Sequence, residues 1–310
     1  MNAEIELSVV IPVYNEEEVL PECHKRVKAA LEALELAYEI VFVNDGSSDS
    51  SVEILRAFAE RDRFVRVVLL SRNFGHQIAI TAGLDHARGA AVVVMDADLQ
   101  DPPEVLGEMV ARWRTGFDVV YGVRAQREGE SAFKTASASI FYRLIRALAA
   151  VDIPLDAGDF RLMSRRAVDA LRQIEERHRF VRGLVTWIGF RQTGIDYVRE
   201  PRGAGVTKYP LRKMLIFAFD AIVSFSSAPL RVATALGLFS SLAAFGYGAY
   251  AVSAKLFNDR VVSGWTSTVI VVAFLGGVQL LSLGIIGEYL GRIYNEAKAR
   301  PLYFVDEVLQ

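Results

Sequence analysis

The chain lacks the residues that build disulfide frameworks and histidine–cysteine metal centres. It has one cysteine, Cys23, among 310 residues, which excludes an internal disulfide and a cysteine-based cluster. Its four histidines do not occur at spacings typical of metal ligands. No G-x-G-x-x-G sequence follows the first apolar segment and no G-x-x-x-x-G-K-[ST] sequence occurs, which disfavours dinucleotide oxidoreductases and P-loop enzymes. The formal net charge of −2 argues against a nucleic-acid partner.

Charged residues are also missing from two long stretches near the C-terminal end, 232–254 and 261–287. Each stretch is long enough to cross about 30 Å of hydrocarbon as a helix. Only residues 255–260 separate them, which is too short for a domain. We therefore predict a two-helix transmembrane hairpin over residues 229–290, with spans at about 232–254 and 264–287. The alternative is a pair of helices buried in a large soluble protein.

Basic residues flank this hairpin more densely than they occupy its loop, which contains Lys255 and Arg260. The flanking basic residues are Arg212, Lys213, Arg231, Arg292, Lys298 and Arg300. By the positive-inside rule we expect a multi-pass protein of the cell (inner) membrane with both termini in the cytoplasm. Residues 211–228 are rich in Phe, Ile and Leu and predict an interfacial juxtamembrane helix, with a core helix as the alternative. Residues 291–310 are predicted to be a cytoplasmic tail.

Residues 1–210 alternate between strand and helix patterns. The predicted strands are 7–11, 39–44, 65–70, 91–96 and 119–121. The predicted helices are 17–36, 50–61, 77–87 and 104–115. This alternation predicts an α/β domain with a mostly parallel, doubly wound sheet.

Two carboxylates follow the apolar run 90–95, at Asp96 and Asp98. The run predicts a buried parallel strand, and open α/β sheets bind ligands at the carboxyl ends of their strands. Side chains two positions apart in an extended segment point the same way. The pair can therefore hold one hard divalent cation, which often bridges to a diphosphate. A solvated turn is the alternative for such a short motif.

Polar residues end two further strands at the same predicted edge of the sheet. Residues 12–16 follow the first strand and residues 44–49 follow the second. Asp45 comes directly after an apolar segment, and Gly46 permits a sharp turn into the next helix. Turn chemistry alone would explain 45–47, but three acid-bearing strand ends on one edge favour a binding site.

These segments resemble those of a known family. V-I-P-V-Y-N-E (10–16), V-N-D-G-S (43–47) and D-A-D-L-Q-D-P-P (96–103) resemble the family 2 glycosyltransferases, which have the Rossmann-like GT-A fold. L-S-R-N-F-G (70–75) and G-D-F-R-L (158–162) resemble the polyprenyl-phosphate glycosyltransferases, which include dolichyl-phosphate mannose synthase and the bacterial bactoprenol glucosyltransferases. The two C-terminal spans are similar to the bacterial type. The resemblance implies a GT-A catalytic domain over residues 1–210.

The resemblance also implies roles at the matching positions. The implied nucleotide-sugar-binding residues are Pro12, Tyr14, Glu16, Asp45 and Asp96. The implied ligands of Mg²⁺ or Mn²⁺ are Asp96, Asp98 and Gln100. Asp98 and Asp159 are the implied catalytic residues, and Asp159 lies where a base is often proposed. A phosphate acceptor has a second pKa of about 6 and needs little deprotonation, so an orienting role for Asp159 is favoured. A structural pair with Arg161 or Arg165 is the alternative.

An anionic donor and an anionic acceptor repel each other, so the site needs cations. The residues expected to bind the lipid phosphate or the diphosphate are Arg124, Lys134, Ser137, Arg202 and Lys208. Attraction to anionic lipid headgroups is the alternative for Arg202 and Lys208. We interpret His76 as a polar helix start, with an approach to the donor as the alternative, and Arg182 as a surface or lipid-facing charge.

The resemblance implies an inverting, metal-dependent hexosyltransferase. We expect the enzyme to move glucose from UDP-glucose to undecaprenyl phosphate at the cytoplasmic membrane face. We also expect it to form a homo-oligomer and to have no nucleic-acid partner. Alternatives are a GDP-mannose-dependent mannosyltransferase, a processive polysaccharide synthase and a non-catalytic scaffold that binds nucleotide sugars. The Q-x-x-R-W element of processive enzymes is missing, since Met109 precedes the pair Arg112–Trp113.

Overall fold

The computed structural model describes residues 5–124, 157–177, 179–199, 223, 226–258 and 264–310. These residues form two compact units. The first contains the described residues up to 199 together with residues 300–310, and the second contains those from 223 to 299. Most of the predicted interfacial helix lies outside the described residues.

The first unit alternates strands and helices. Its strands are β1 (Leu7–Val13), β2 (Tyr38–Asn44), β3 (Val65–Leu70), β4 (Ala91–Val94), β5 (Val119–Arg124), β6 (Ala157–Ser164), β7 (Gln192–Tyr197) and β8 (Val305–Leu309). Its helices are α1 (Leu20–Glu32), α2 (Ser51–Arg61), α3 (His76–His86), α4 (Leu106–Arg114), α5 (Arg165–Arg172) and α6 (Val181–Trp187). A 3₁₀ turn, Pro103–Val105, precedes α4.

All eight strands belong to one sheet with the order β7-β5-β6-β4-β1-β2-β3-β8. Strands β4, β1, β2 and β3 are parallel neighbours, and β5 is parallel to β7. Strand β6 runs antiparallel to both β4 and β5, and β8 runs antiparallel to β3. The predicted α/β fold with a mostly parallel sheet is confirmed.

The central strands form because most of their residues on both faces are apolar. Every residue of β1, β2 and β3 is buried, as expected for parallel strands covered by helices on each side. Helix α3 packs closely against this layer at Gly83, where an added Cβ would lie 2.1 Å from Val10 Cγ1. The missing side chain thus sets the height of α3 above the sheet.

The fourth strand is shorter than predicted. It ends at Val94 rather than at residue 96, although Met95 N still donates to Val10 O at 3.1 Å. The chain then turns, because Leu99 adopts a left-handed backbone with φ of 55°. The premise that Asp96 and Asp98 share one extended segment is therefore wrong.

Three strands, β6, β7 and β8, were not predicted from the sequence. Strand β6 inserts between β4 and β5 and carries Asp159 into the middle of the sheet. Strand β8 lies within 291–310, which was predicted as a tail. It instead extends the sheet beyond β3.

The second unit contains two long apolar helices, α7 (Ala228–Asn258) and α8 (Trp265–Ala297). Within them, 228–254 and 268–297 are long and apolar enough to cross a membrane, with mean hydropathies of 1.4 and 2.5. In the most apolar 18 residues of each helix, 11% are buried in α7 and 0% in α8. The alternative of helices enclosed in a soluble core is therefore wrong. Tyr289 of α8 donates its hydroxyl to the carbonyl oxygen of Ser226 at 2.6 Å.

Candidate active site

Asp96 lies at the carboxyl end of β4, between the sheet and the following turn. Its Oδ1 atom is buried and has no hydrogen-bond partner among the described residues. Burial raises the pKa of Asp96 to about 6; the charge of His76 lowers it, while those of Asp159 and Asp101 raise it. A buried carboxylate oxygen of this kind favours a cation at the site.

Asp98 stabilises the turn that follows. One of its carboxylate oxygens accepts the backbone N–H of Gln100 at 3.1 Å, which closes the turn around Leu99. The neighbouring Asp101 is buried and accepts a hydrogen bond from the hydroxyl of Tyr197 on β7. The predicted metal ligands Asp96, Asp98 and Gln100 thus occupy one short turn, although not one extended strand.

Asp159 of β6 forms a two-point ion pair with Arg182 of α6. Arg182 Nε lies 2.8 Å from Oδ1 and Nη2 lies 2.9 Å from Oδ2. Gln77 Nε2 also donates to Oδ2, at 3.3 Å. Burial alone would raise the pKa of Asp159, but hydrogen bonds from Arg182 and His76 and the charge of Arg161 hold that pKa well below its usual range. The carboxylate is therefore ionised and a weak base.

The interpretation of Arg182 as a surface or lipid-facing charge is wrong, since its guanidinium binds Asp159. The proposed pairs of Asp159 with Arg161 or Arg165 do not form. Arg161 donates to Gly158 O at 2.7 Å, and Arg165 donates to Gly89 O. One sequence signal could have identified Arg182. Arg182 is the one charged residue in the short, mostly apolar segment 181–187, and a charged residue in such a segment usually has a buried partner.

His76 begins α3 as expected, and its imidazole reaches two acids. Nε2 lies 3.5 Å from Asp96 Oδ1 and 3.4 Å from Asp159 Oδ2. Burial lowers the pKa of His76, but its hydrogen bond to Asp159 and the charge of Asp96 outweigh this and raise it. His76 thus connects the predicted metal-binding turn to the Asp159–Arg182 pair, a contact that the sequence did not indicate.

Asp45 holds the loop that leads to α3. Its Oδ1 accepts the N–H of Phe74 at 2.7 Å and its Oδ2 accepts that of Gly75 at 2.9 Å. The side chain is buried, which raises its pKa, while the two hydrogen bonds oppose the rise. Both oxygens of this predicted nucleotide-binding residue therefore contact backbone. Gly46 packs against the same loop, since an added Cβ would lie 2.5 Å from Asn73 N.

The segment after β1 lies against the segment after β2. Asn15 N donates to Ser47 Oγ at 3.0 Å, and Ser48 N donates to Asn15 Oδ1 at 2.8 Å. Glu16 N donates to Ser51 Oγ at 3.0 Å. Two other predicted nucleotide-binding residues lie here, Pro12 buried at the end of β1 and Tyr14 with an exposed side chain.

Arg124 ends β5 and is held beside the strand that carries Asp159. Its Nε lies 3.4 Å from the hydroxyl oxygen of Tyr197. Its guanidinium passes over Gly158, where an added Cβ would lie 2.8 Å from Nη2. The other predicted phosphate-binding residues, Lys134, Ser137, Arg202 and Lys208, lie outside the described residues.

The described residues contain no group of three His, Cys, Asp or Glu side chains that could hold a metal alone. A cation bound to a diphosphate needs only one or two protein carboxylates, because phosphate oxygens and water complete its shell. Asp96 Oδ1 accepts no hydrogen bond among the described residues and lies 3.5 Å from His76 Nε2. Together with the carboxylate of Asp98, it fits such a cation by donor type.

Two family models match the chain. The one described as glycosyl transferase family 2 matches residues 8–172, and the one described as GtrB C-terminal hairpin matches residues 228–293. An uncharacterized glycosyltransferase of Bacillus subtilis (strain 168), YkcC, is 50% identical over 307 residues, 99% of this chain and 95% of that protein. The bactoprenol glucosyl transferase of Shigella phage SfV is 41% identical over 301 residues, 97% of this chain and 98% of that protein.

A solved structure, that of the mannosyltransferase PcManGT from Pyrobaculum calidifontis in complex with GDP-Man and Mn²⁺, is 17% identical. It covers 91% of this chain and 88% of its own, with a TM-score of 0.44. The sheet and the acid-bearing strand ends define an α/β protein of the GT-A type. The chain belongs to glycosyl transferase family 2.

Proposed function

We propose that the protein transfers glucose from UDP-glucose to a polyprenyl phosphate, with undecaprenyl phosphate as the acceptor, at the cytoplasmic face of the membrane. The observation that carries this proposal is the state of Asp159, whose two oxygens accept hydrogen bonds from Arg182. A carboxylate held this way is a poor base. A phosphate monoester suits such a site because it is already mostly ionised at pH 7.

The named relative supports the choice of donor and acceptor. A protein 41% identical to this chain over nearly its whole length is called bactoprenol glucosyl transferase. The apolar helices α7 and α8 would anchor the protein in the bilayer that contains such an acceptor. The positive-inside pattern of the sequence favours a cytoplasmic catalytic domain. A homo-oligomer stays a prediction.

Residues around β4 and β6 would orient the reacting groups. Asp96 and Asp98, with Gln100, would hold Mg²⁺ or Mn²⁺ on the donor diphosphate. When bound, the cation neutralises charge on the departing nucleoside diphosphate. Arg124 would contact phosphate oxygens, and Asp159 would keep Arg182 and His76 in place beside the sugar. The acceptor phosphate would then attack the anomeric carbon from the face opposite the leaving group, which inverts its configuration.

A donor panel tests the proposal. Full-length protein in detergent would be incubated with undecaprenyl phosphate, Mg²⁺ or Mn²⁺, and either UDP-glucose or GDP-mannose. We expect an organic-soluble lipid with one glucose, and UDP release that needs both cation and acceptor. Transfer from GDP-mannose but not from UDP-glucose would favour a mannosyltransferase. A long polysaccharide product would show a processive synthase. If no donor releases its nucleoside diphosphate, a non-catalytic scaffold would be favoured. Asp196→Asn, at an exposed position of β7, is a matched control that should retain activity.

A further inference from the structure

The last residues of the chain, 300–310, belong to the first unit rather than to the helices that precede them. We call residues 300–310 the C-terminal segment. Its strand β8 pairs antiparallel with β3, with Val67 opposite Leu309 and Leu70 opposite Val305. The pairing continues past the end of β3, because Ser71 N donates to Phe304 O at 3.0 Å. The segment therefore reaches the loop 71–75 that leads to α3.

The C-terminal segment contacts both ends of this loop-and-helix element. The ring centroids of Phe304 and Phe74 lie 6.5 Å apart, and the guanidinium carbon of Arg72 lies 4.0 Å from the Phe74 ring centroid. At the other end of α3, the Tyr303 hydroxyl donates to Asp85 Oδ2 at 2.9 Å. The segment thus supports the start of the element through Phe304 and its end through Tyr303.

The first turn of α3 carries two side chains of the active site. His76 lies within 3.5 Å of both Asp96 and Asp159, and Gln77 donates to Asp159. Asp45 fixes the backbone just before that turn from the side of β2. The contacts of Phe304 and Tyr303 hold the same element from the outer edge of the sheet, beyond β3. A shift of the loop would therefore displace His76 and Gln77 from Asp159.

We infer that the C-terminal segment is a positioning element of the active site, in which Phe304 and Tyr303 hold the loop 71–75 and α3 so that His76 and Gln77 meet Asp159. This inference rests on the proposed function for its kinetic test. Well-oriented groups lose much of their rate advantage when they shift by about 1 Å. None of the residues proposed to bind donor or acceptor lies in the segment, so the segment acts on the rate through α3.

The contacts are suited to separate substitution. The Phe304 side chain is 58% exposed, so its removal opens no core cavity. Gln310 Oε1 accepts from Arg66 at 2.8 Å and from Arg88 at 3.3 Å, which holds the far end of β8 independently. Strand β8 should therefore stay paired in a Phe304 variant.

Phe304→Ala, Phe304→Tyr and Tyr303→Phe in the full-length protein test the inference. Val308→Thr is the matched control, since its side chain is exposed in the same strand and threonine keeps the β-branched shape. We expect Phe304→Ala to lower kcat by about three- to tenfold. The KM for UDP-glucose should change by less than about twofold, because none of the predicted nucleotide-binding residues belongs to the C-terminal segment, the loop 71–75 or α3. Phe304→Tyr should restore kcat, and Tyr303→Phe should lower it to a smaller degree.

Hydrogen exchange supplies a readout that does not depend on activity. In Phe304→Ala, peptides covering 71–86 should exchange faster, while peptides of β1 and β2 and the melting temperature should match the wild type. Unchanged exchange over 71–86, or unchanged kcat despite faster exchange, would overturn the inference, as would an equal loss in Val308→Thr. If the wild type transfers no sugar, the proposed function fails, while the exchange comparison still decides whether the segment holds α3.

Discussion

Asp159 and Arg182 should be energetically coupled, because they form a two-point ion pair. We propose a double-mutant cycle with Asp159→Asn, Arg182→Gln and the double variant. The Asp159 side chain is 6% exposed and that of Arg182 is 30% exposed. Removing one partner of a buried ion pair costs about 3–5 kcal/mol. Since water reaches part of Arg182, we expect about 3 kcal/mol for Asp159→Asn, at the lower end of that range.

Thermal unfolding in detergent measures this loss. For a domain of about 150–250 residues, a change of about 1 kcal/mol shifts the melting temperature by about 2–4 °C, so Asp159→Asn should melt roughly 6–12 °C below the wild type. The double variant should lose less than the sum of the single losses by about 2 kcal/mol. Asp196→Asn is exposed on β7 and should change stability by less than about 0.5 kcal/mol.

The pH dependence gives an independent check on Asp159. The pKa of Asp159 is lower in the folded protein than in the unfolded chain, where it is about 3.9. The contribution of Asp159 to the free energy of unfolding is therefore complete above about pH 3.9. Below about pH 3.9 this contribution is lost progressively, because the Asp159 carboxylate takes up a proton in the unfolded chain at a higher pH than in the folded protein. The stability gap between the wild type and Asp159→Asn should therefore narrow below about pH 4. Additive single losses, or an Asp159→Asn variant as stable as the wild type, would refute the reasoning.

Three further substitutions test other parts of the site. Asp98→Asn should abolish transfer while the melting temperature stays within a few degrees of the wild type; full activity would remove the metal assignment. Gly46→Ala should destabilise the protein by about 1–3 kcal/mol and impair transfer, because Gly46 has φ of 68° and its Cβ would strike the backbone of the next loop. A chemical denaturation curve unchanged from the wild type would contradict this. Tyr197→Phe should cost about 1–3 kcal/mol by leaving the buried Asp101 short of a donor, and unchanged stability would argue against that hydrogen bond.

The parallel core of the sheet was predictable because its signal is local. Strand β3 was predicted with its observed bounds, since 65–70 is apolar except for Arg66 and lies between the charged residues 60–63 and the polar residues 71–73. Strand β8 was not predicted, because V-D-E-V-L is short, contains two charged residues among five, and pairs only at the edge of the sheet. Nothing in such a segment indicates which distant strand it will meet.

The residues of the site likewise fall into those that the sequence predicted and those that it did not. The acids at 45, 96 and 98 were recognised from the strand ends that carry them. The partner of Asp159 was not, because Arg182 comes from a separate helix and their contact depends on how α6 packs beside β6. His76 was placed correctly at a helix start, but its position between two carboxylates depends on the height of α3 above the sheet. Packing of this kind has no periodic pattern in the sequence.

Strand β8 has a consequence for how the chain is made. The ion pair between Arg56 and Glu307 joins residues 251 positions apart, so the edge of the sheet closes only after residue 307 has been synthesised. At about 5–20 residues per second, the outer edge of β3 waits roughly 10–50 s for its partner. An unpaired strand edge invites pairing with other chains. If α7 and α8 both cross the bilayer, β8 can reach β3 only when the chain has returned to the side from which it left, so closure of the sheet would mark a correctly inserted hairpin.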